Sequence, residues 1–165
     1  MDANQVKTFL EEDHLKNIQR AAENLKPILL NTPLIRSDFF SEEYSCNVYL
    51  KPENLQRTGS FKIRGAYNKI ANLTKEERNH GVISSSAGNH AQGVAYSAKE
   101  KGIPATIVMP NVTPLLKVDA TKAFGAKVIL HGDVYDEAYR HAMELSEREG
   151  YTFIHPFDDY DVICG

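Results

Sequence analysis

Long apolar runs are missing from this 165-residue chain. None exceeds about five residues, whereas a membrane-spanning helix needs about 20. A basic excess is missing too. Nineteen Lys and Arg stand against 22 Asp and Glu, a net charge of −3, which argues against a nucleic-acid or membrane-surface protein, whose footprint is basic. Cysteine is scarce. Cys46 and Cys164 are far apart and lack metal-ligand spacing, so they read as two reduced thiols of a cytoplasmic protein, with no metal site. The opening "MDANQVKTFLEEDH" is acidic and has no apolar run, unlike a signal peptide. There is no internal repeat, low-complexity tract or linker. What is present is ordinary for a globular chain: 42% hydrophobic and 25% charged residues, enough for one domain, or one and a fraction.

The order of elements is regular. Asp13 can cap a helix with Leu15, Ile18, Ala22 and Leu25 on one face, ended by Pro27. Ser37 can cap a short helix through Phe39, Phe40 and Tyr44. "NVYLK" (47–51) reads as a strand stopped by Pro52, and a polar loop follows. Ser60 can cap a helix bearing Ile63, Tyr67, Ile70 and Leu73, and "TKEE" (74–77) has capping-box spacing. Strands are then expected at "VISS", "ATIVM" (105–109), "KVIL" (127–130) and "YTFI". Between them lie helices from about Asn89 to Lys101, from a Thr113-Pro114 start to Gly125, and from Asp133 to Gly150. Such alternation predicts an α/β fold, a three-layer parallel sheet with helices on both faces. The first 12 residues are expected to be loosely held.

Ligands of such sheets bind at the carboxyl ends of strands, where loops enter helices. Two stretches lie there. "SSSAGNHAQG" offers the hydroxyls of Ser84, Ser85 and Ser86, a glycine at Gly88 for close backbone approach, and the unpaired N–H groups of the next helix, which favour an anion. Gly88 and Gly93 fit the glycine spacing of a phosphate-binding P-loop, but Val94-Ala95 stand where Lys-[Ser/Thr] is required, so a nucleoside-triphosphate site is disfavoured. The plainer reading is a helix cap and turn. The other stretch, "QRTGSFKIRGAYNK", puts Lys62 at a helix start among Phe61, Ile63, Ala66 and Tyr67. A helix N-terminus and an apolar surround both disfavour an ammonium, and a neutral amine is the form that adds to an aldehyde. The plainer reading is one solvated lysine among twelve. Tyr135 and Tyr139 read as packing residues. His131, His141 and His155 read as surface or loop residues, since nothing gives them metal-ligand geometry.

"TGSFKIRGA" and "SSAGNHAQGVA", with "IVMP" and "HPFDD" further on, resemble the threonine ammonia-lyase (threonine dehydratase) family. This is a branch of the fold-type-II pyridoxal-phosphate enzymes, related to serine racemase and sharing a tryptophan-synthase-β-like fold. The likeness covers about residues 18 to 165. It implies pyridoxal 5′-phosphate held as a Schiff base on Lys62, with Phe61 packed near the cofactor and Asn89 bonded to its 3′-oxygen. It implies that Ser86, Ala87, Gly88, Asn89 and His90 cradle the substrate carboxylate. The implied activity is dehydration and deamination of L-threonine to 2-oxobutanoate and ammonia, or of L-serine to pyruvate, with Lys62 taking the α-proton. Racemases of this group have a serine where this chain has Ala87, and a methyl group cannot deliver a proton to the opposite face, so lyase is preferred.

The resemblance also implies an adenine nucleotide effector (AMP or ATP) near Arg57, Thr58 and Gln92, and a homo-oligomer, dimer or tetramer. Three parts are expected: residues 1–51 from a large domain, 52–150 as a small α/β domain carrying Lys62 and the Asn89 loop, and 151–165 returning to the large domain. That domain is expected to be incomplete, and this chain alone to have little activity. The alternative is a non-catalytic α/β module that binds a ligand or partner.

Overall fold

The structure, a computed structural model, describes residues 13–165. The expectation about the first 12 residues lies outside them. Asp13 Oδ1 accepts from Lys16 N–H at 3.1 Å and starts α1 (His14–Leu25). Ser37 caps α2 (Asp38–Glu43), lying between β1 (Ile35–Arg36) and β2 (Tyr49–Leu50). Next come α3 (Lys62–Asn72) and α4 (Lys75–His80), the latter opened by the Thr74/Glu77 capping box. Alternation follows: β3 (Val82–Ser85), α5 (Asn89–Lys101), β4 (Ala105–Met109), α6 (Leu115–Ala123), β5 (Lys127–Leu130), α7 (Tyr135–Glu149), β6 (Thr152–Phe153) and α8 (Tyr160–Cys164).

Among the described residues β3 to β6 form one parallel sheet in the order β5-β4-β3-β6. Its side chains alternate between faces, as a pleated strand requires. Val82, Ile107 and Met109 share one core with Ala66 and Ile70 of α3, Val94 and Ala98 of α5, and Val118 of α6. Ile83 and Val108 point the other way, against Ala138, Ala142 and Leu145 of α7. The expected three layers, with helices on both faces, are therefore present. A third cluster, Leu25, Ile28, Ile63 and Tyr67, joins α1 to α3. β6 pairs with β3 (Val82↔Thr152, Ile83↔Phe153), so segment 151–165 begins on the same sheet as β3, β4 and β5.

The structure differs from the sequence reading in several places. Ser60 does not cap α3, whose cap position is taken by Phe61. "NVYLK" narrows to Tyr49–Leu50, which pairs antiparallel with Ile35–Arg36 away from the parallel sheet; both strands are exposed. Of the apolar face expected on α1, only Leu25 is part of its docking face. Leu15 is 66% and Ile18 49% exposed, while Ala21 and Leu25 are buried, because α1 rests on α3 and α8 partly through polar side chains. Asn24 Nδ2 donates to Asn68 Oδ1 at 3.0 Å, and Asn17 Nδ2 donates to the Tyr160 hydroxyl at 3.1 Å. Thr113 does not cap α6. Pro114 takes the cap position in an extended conformation, and Thr113 is buried beneath it. α7 begins at Tyr135 instead of Asp133, because Glu137 reaches back to accept from the Asp133 and Val134 N–H groups. Among the described residues no helix is long and apolar enough to cross a membrane.

Candidate active site

Lys62 opens α3, with its N–H donating to Ser60 Oγ at 3.3 Å. Its side chain is half-buried, and Nζ donates to the carbonyl of Pro156 at 2.7 Å. Nζ also lies 5.2 Å from the centre of the Phe61 ring, which is itself largely exposed. A cavity of about 260 Å³ lies beside them, walled by Phe61, Lys62, Gly65, Pro156 and Val162 among others.

The start of α5 stands next to the start of α3, and Gly93 makes this possible. A Cβ at Gly93 would sit 3.0 Å from the Lys62 carbonyl oxygen, so a larger residue would have to push the α3 backbone away by a few tenths of an ångström. The loop before α5 is pinned by the Ser86 N–H donating to the Val108 carbonyl at 3.2 Å and the Gly88 N–H donating to Ser86 Oγ at 3.2 Å. The first return bond of the helix runs from Gln92 N–H to the Gly88 carbonyl. That leaves the N–H groups of Asn89, His90 and Ala91 without an acceptor among the described residues, the condition in which a helix end attracts an anion. A Cβ at Gly88 would meet nothing within 4 Å, so the loop faces open space.

The expected residues fall in two neighbouring places. Phe61 and Lys62 line the cavity, but Ser86, Ala87, Gly88 and Asn89 do not; they stand at the adjoining helix start. His90 turns its ring inward. It is 4% exposed, and Nε2 donates to the Ile154 carbonyl at 3.0 Å. Burial pushes its pKa down to about 4, helped by the charge of Lys62 and resisted by the Ile154 bond, so the ring is neutral. What His90 offers a ligand is its backbone N–H. Ser84 Oγ shares the Ile154 carbonyl at 2.9 Å and is buried as well. The backbone carbonyls of Ile154 and Pro156 thus tie both motifs together. Sequence reasoning missed them, and a main-chain carbonyl carries no residue-type signal by which to find it.

Arg57 Nε donates to the Ile28 carbonyl at 3.0 Å, Thr58 is buried with its hydroxyl unpartnered, and Gln92 is half-buried on α5. Tyr96, one turn after Gln92, feels the charge of Arg57 and packs edge-on against Phe124.

Residues 25–165 match the family described as "Pyridoxal-phosphate dependent enzyme". The chain belongs to this family. Its likeness to the threonine ammonia-lyases is equally direct. An L-threonine ammonia-lyase of Thermotoga maritima is 54% identical over 151 residues, 92% of this chain and 38% of that protein. The processed form of threonine deaminase isoform 2 from Solanum lycopersicum superposes with a TM-score of 0.87 at 42% identity, covering 100% of this chain and 44% of the other. A serine racemase from Dictyostelium discoideum also superposes, with a TM-score of 0.85 at 35% identity over 92% of this chain and 49% of that one. The chain therefore spans about two-fifths of the length of the curated relatives it matches. The family depends on pyridoxal phosphate. The half-buried amine, the unpaired helix N–H groups and the open face at Gly88 fit an aldehyde cofactor and an anionic substrate.

Proposed function

We propose that this chain supplies the lysine and the carboxylate-binding helix start of a pyridoxal-phosphate-dependent ammonia-lyase acting on L-threonine and, with the same leaving group, on L-serine. The observation that carries the reading is the packing of two helix starts at Gly93, which brings the Lys62 backbone against the helix whose Asn89, His90 and Ala91 N–H groups are unpaired. When bound, pyridoxal phosphate supplies an electron sink for charge developing at the substrate α-carbon. Lys62 Nζ would hold the cofactor aldehyde and, once freed, would move the α-proton as general base. With the cofactor bound, the Phe61 ring would pack near it, and the Asn89 side chain, exposed at the start of α5, would hold its ring by a hydrogen bond. The Ser86 hydroxyl and the N–H groups of Ala87, Asn89 and His90 would orient the substrate carboxylate. Ala87 places a methyl group where a racemase needs a proton donor, so loss of the β-hydroxyl as water prevails over inversion. The products are 2-oxobutanoate, or pyruvate, and ammonia.

The test is borohydride reduction with added pyridoxal phosphate, followed by peptide mapping. Reduced cofactor concentrated on Lys62 is the expected result. Label spread evenly over the surface lysines would overturn the reading and leave a binding module. In the whole protein, D-serine formed from L-serine at a yield comparable to pyruvate would overturn the choice of lyase over racemase.

The buried, unpartnered Thr58 hydroxyl favours a second reading at Arg57, Thr58 and Gln92. An adenine nucleotide binding there would act on the association of copies into a dimer or tetramer. Titration with AMP and ATP, read as oligomer size and thermal shift, is expected to move both; an unmoved folded sample at millimolar nucleotide counts against this reading.

A further inference from the structure

The turn after β6 holds the Lys62 amine, and His155 holds the turn. The Pro156 carbonyl accepts from Lys62 Nζ at 2.7 Å. The His155 ring folds forward along its own chain, so that Nδ1 lies 2.7 Å from the Asp158 N–H and 3.3 Å from the Phe157 N–H. Both backbone groups can only donate. Nδ1 must therefore present a lone pair, which fixes the ring as neutral with its proton on Nε2. Pro156, between these groups, has no N–H of its own to anchor it. Upstream the chain is fixed. The Ile154 N–H donates to the Ile83 carbonyl at 2.8 Å, and the Ile154 carbonyl accepts from Ser84 and His90. The Pro156 carbonyl is thus aimed from one side by the end of the sheet and from the other by one imidazole. Phe157 packs edge-on against that ring with centroids 4.7 Å apart, and Phe153 lies at 6.2 Å.

We propose that neutral His155 is the positioning residue that keeps the Pro156 carbonyl on Lys62 Nζ, and that protonation of His155 releases the lysine amine. An imidazolium carries N–H on both nitrogens. It can no longer accept from Phe157 and Asp158, the turn loses its brace, and the carbonyl is free to swing away. The groups facing His155 bear on its protonation from several sides. Asp158 and Asp159 lie in its own turn, His90 reaches it from α5, and Lys62 of α3 bonds the carbonyl of the next residue, Pro156. Tyr135, Asp136, Tyr139 and Arg140 of α7 line the same groove. Burial holds the pKa of His155 below the ordinary imidazole range, against the pull of Asp158 and Asp159. The latch is therefore closed at neutral pH and opens on acidification. This inference rests on the reading of Lys62 as the reactive amine, but not on the cofactor, the substrate or turnover.

Trace acylation of the full chain with acetic anhydride, from about pH 8 to about pH 5, tests it. At each pH the label on Lys62 is divided by the label on Lys75, an exposed lysine of α4, so that the general pH dependence of amines cancels. A held amine is less available to the reagent than a released one. The ratio is expected to be low and flat at neutral pH, then to rise several-fold through one inflection coincident with the NMR titration of the His155 imidazole. His155→Asn puts a non-titrating acceptor where Nδ1 sits, and should keep the ratio low at every pH. His155→Gln puts its acceptor at the Nε2 position, and should keep it high at every pH. An absent inflection, or one that does not track His155, overturns the proposal, as do Asn and Gln variants that behave alike. If a variant fails to fold, the coincidence of the two wild-type titrations decides alone. Pyridoxal phosphate is absent throughout, so failed cofactor trapping and a failed latch are separate results.

Discussion

Gly93 and Gly88 belong to one motif and do opposite things. At Gly93 an added methyl group meets the Lys62 carbonyl, part of a backbone that cannot step aside cheaply. Gly93→Ala should cost about 1–3 kcal/mol by overpacking, reduced by the better helix propensity of alanine, and should displace Lys62; urea unfolding and cofactor trapping on Lys62 read the two effects. At Gly88 the same methyl group meets open space. Gly88→Ala should leave stability within about 0.5 kcal/mol while weakening capture of a carboxylate, read by ligand titration. His90 makes a third prediction. Its pKa is lowered from 6.5 to about 4 in the folded chain, so the unfolded chain takes up the proton first as pH falls. Its contribution is fully present above pH 6.5 and drains away down to about pH 4, amounting to about 3 kcal/mol at most. Glu53, held down at about 2 chiefly by its bond to Arg64, acts in the same direction at still lower pH. Denaturant midpoints measured at neutral pH and near pH 4.5 should differ, and His90→Gln should shrink that difference. An unchanged pH dependence in the variant would contradict the assignment.

At the scale of elements, α8 is held to α3 by charge as well as by close approach. Lys69 Nζ lies 2.8 Å from Asp159 and 3.5 Å from Asp161, Asn68 Nδ2 donates to the Asp161 carbonyl at 2.8 Å, and Gly65 leaves room for Val162. Burial works against the Lys69 charge, but the two carboxylates outweigh it and hold its pKa above the ordinary lysine value. Lys69→Ala should cost about 1.5–3 kcal/mol, the scale of a charged hydrogen bond, and hydrogen exchange should show protection lost over 160–164 before the sheet opens. The parallel strands and the helices from α3 to α7 were legible in the sequence, because period and αL glycines agreed there; Gly102 and Gly150 do end α5 and α7 with positive φ. The failures have physical causes. Two-residue strands such as Ile35–Arg36 give no alternation to read. The docking stripe of α1 mixes His14, Asn17 and Asn24 with Ala21 and Leu25, so its hydrophobic pattern points elsewhere. At the site the residue types were legible, but the inward turn of His90 and the contact made by Gly93 depend on how α3 and α5 cross.

Over the whole molecule, three layers bring the starts of α3 and α5 to one edge of the sheet, and the segment after β6 closes over them. The sheet order makes that closure late, because β6 is made after the other three strands of the parallel sheet yet sits beside β3, the first of them. Pro156 lies 94 residues downstream of the lysine it holds. On a ribosome adding about 5–20 residues per second, that separation is a wait of about 5–20 s. Throughout that interval a nascent chain carries its reactive amine with no carbonyl to restrain it, open to whatever aldehydes the surrounding fluid contains. Chains stalled just short of β6 should therefore be tagged at Lys62 by a small aldehyde more readily than released chains.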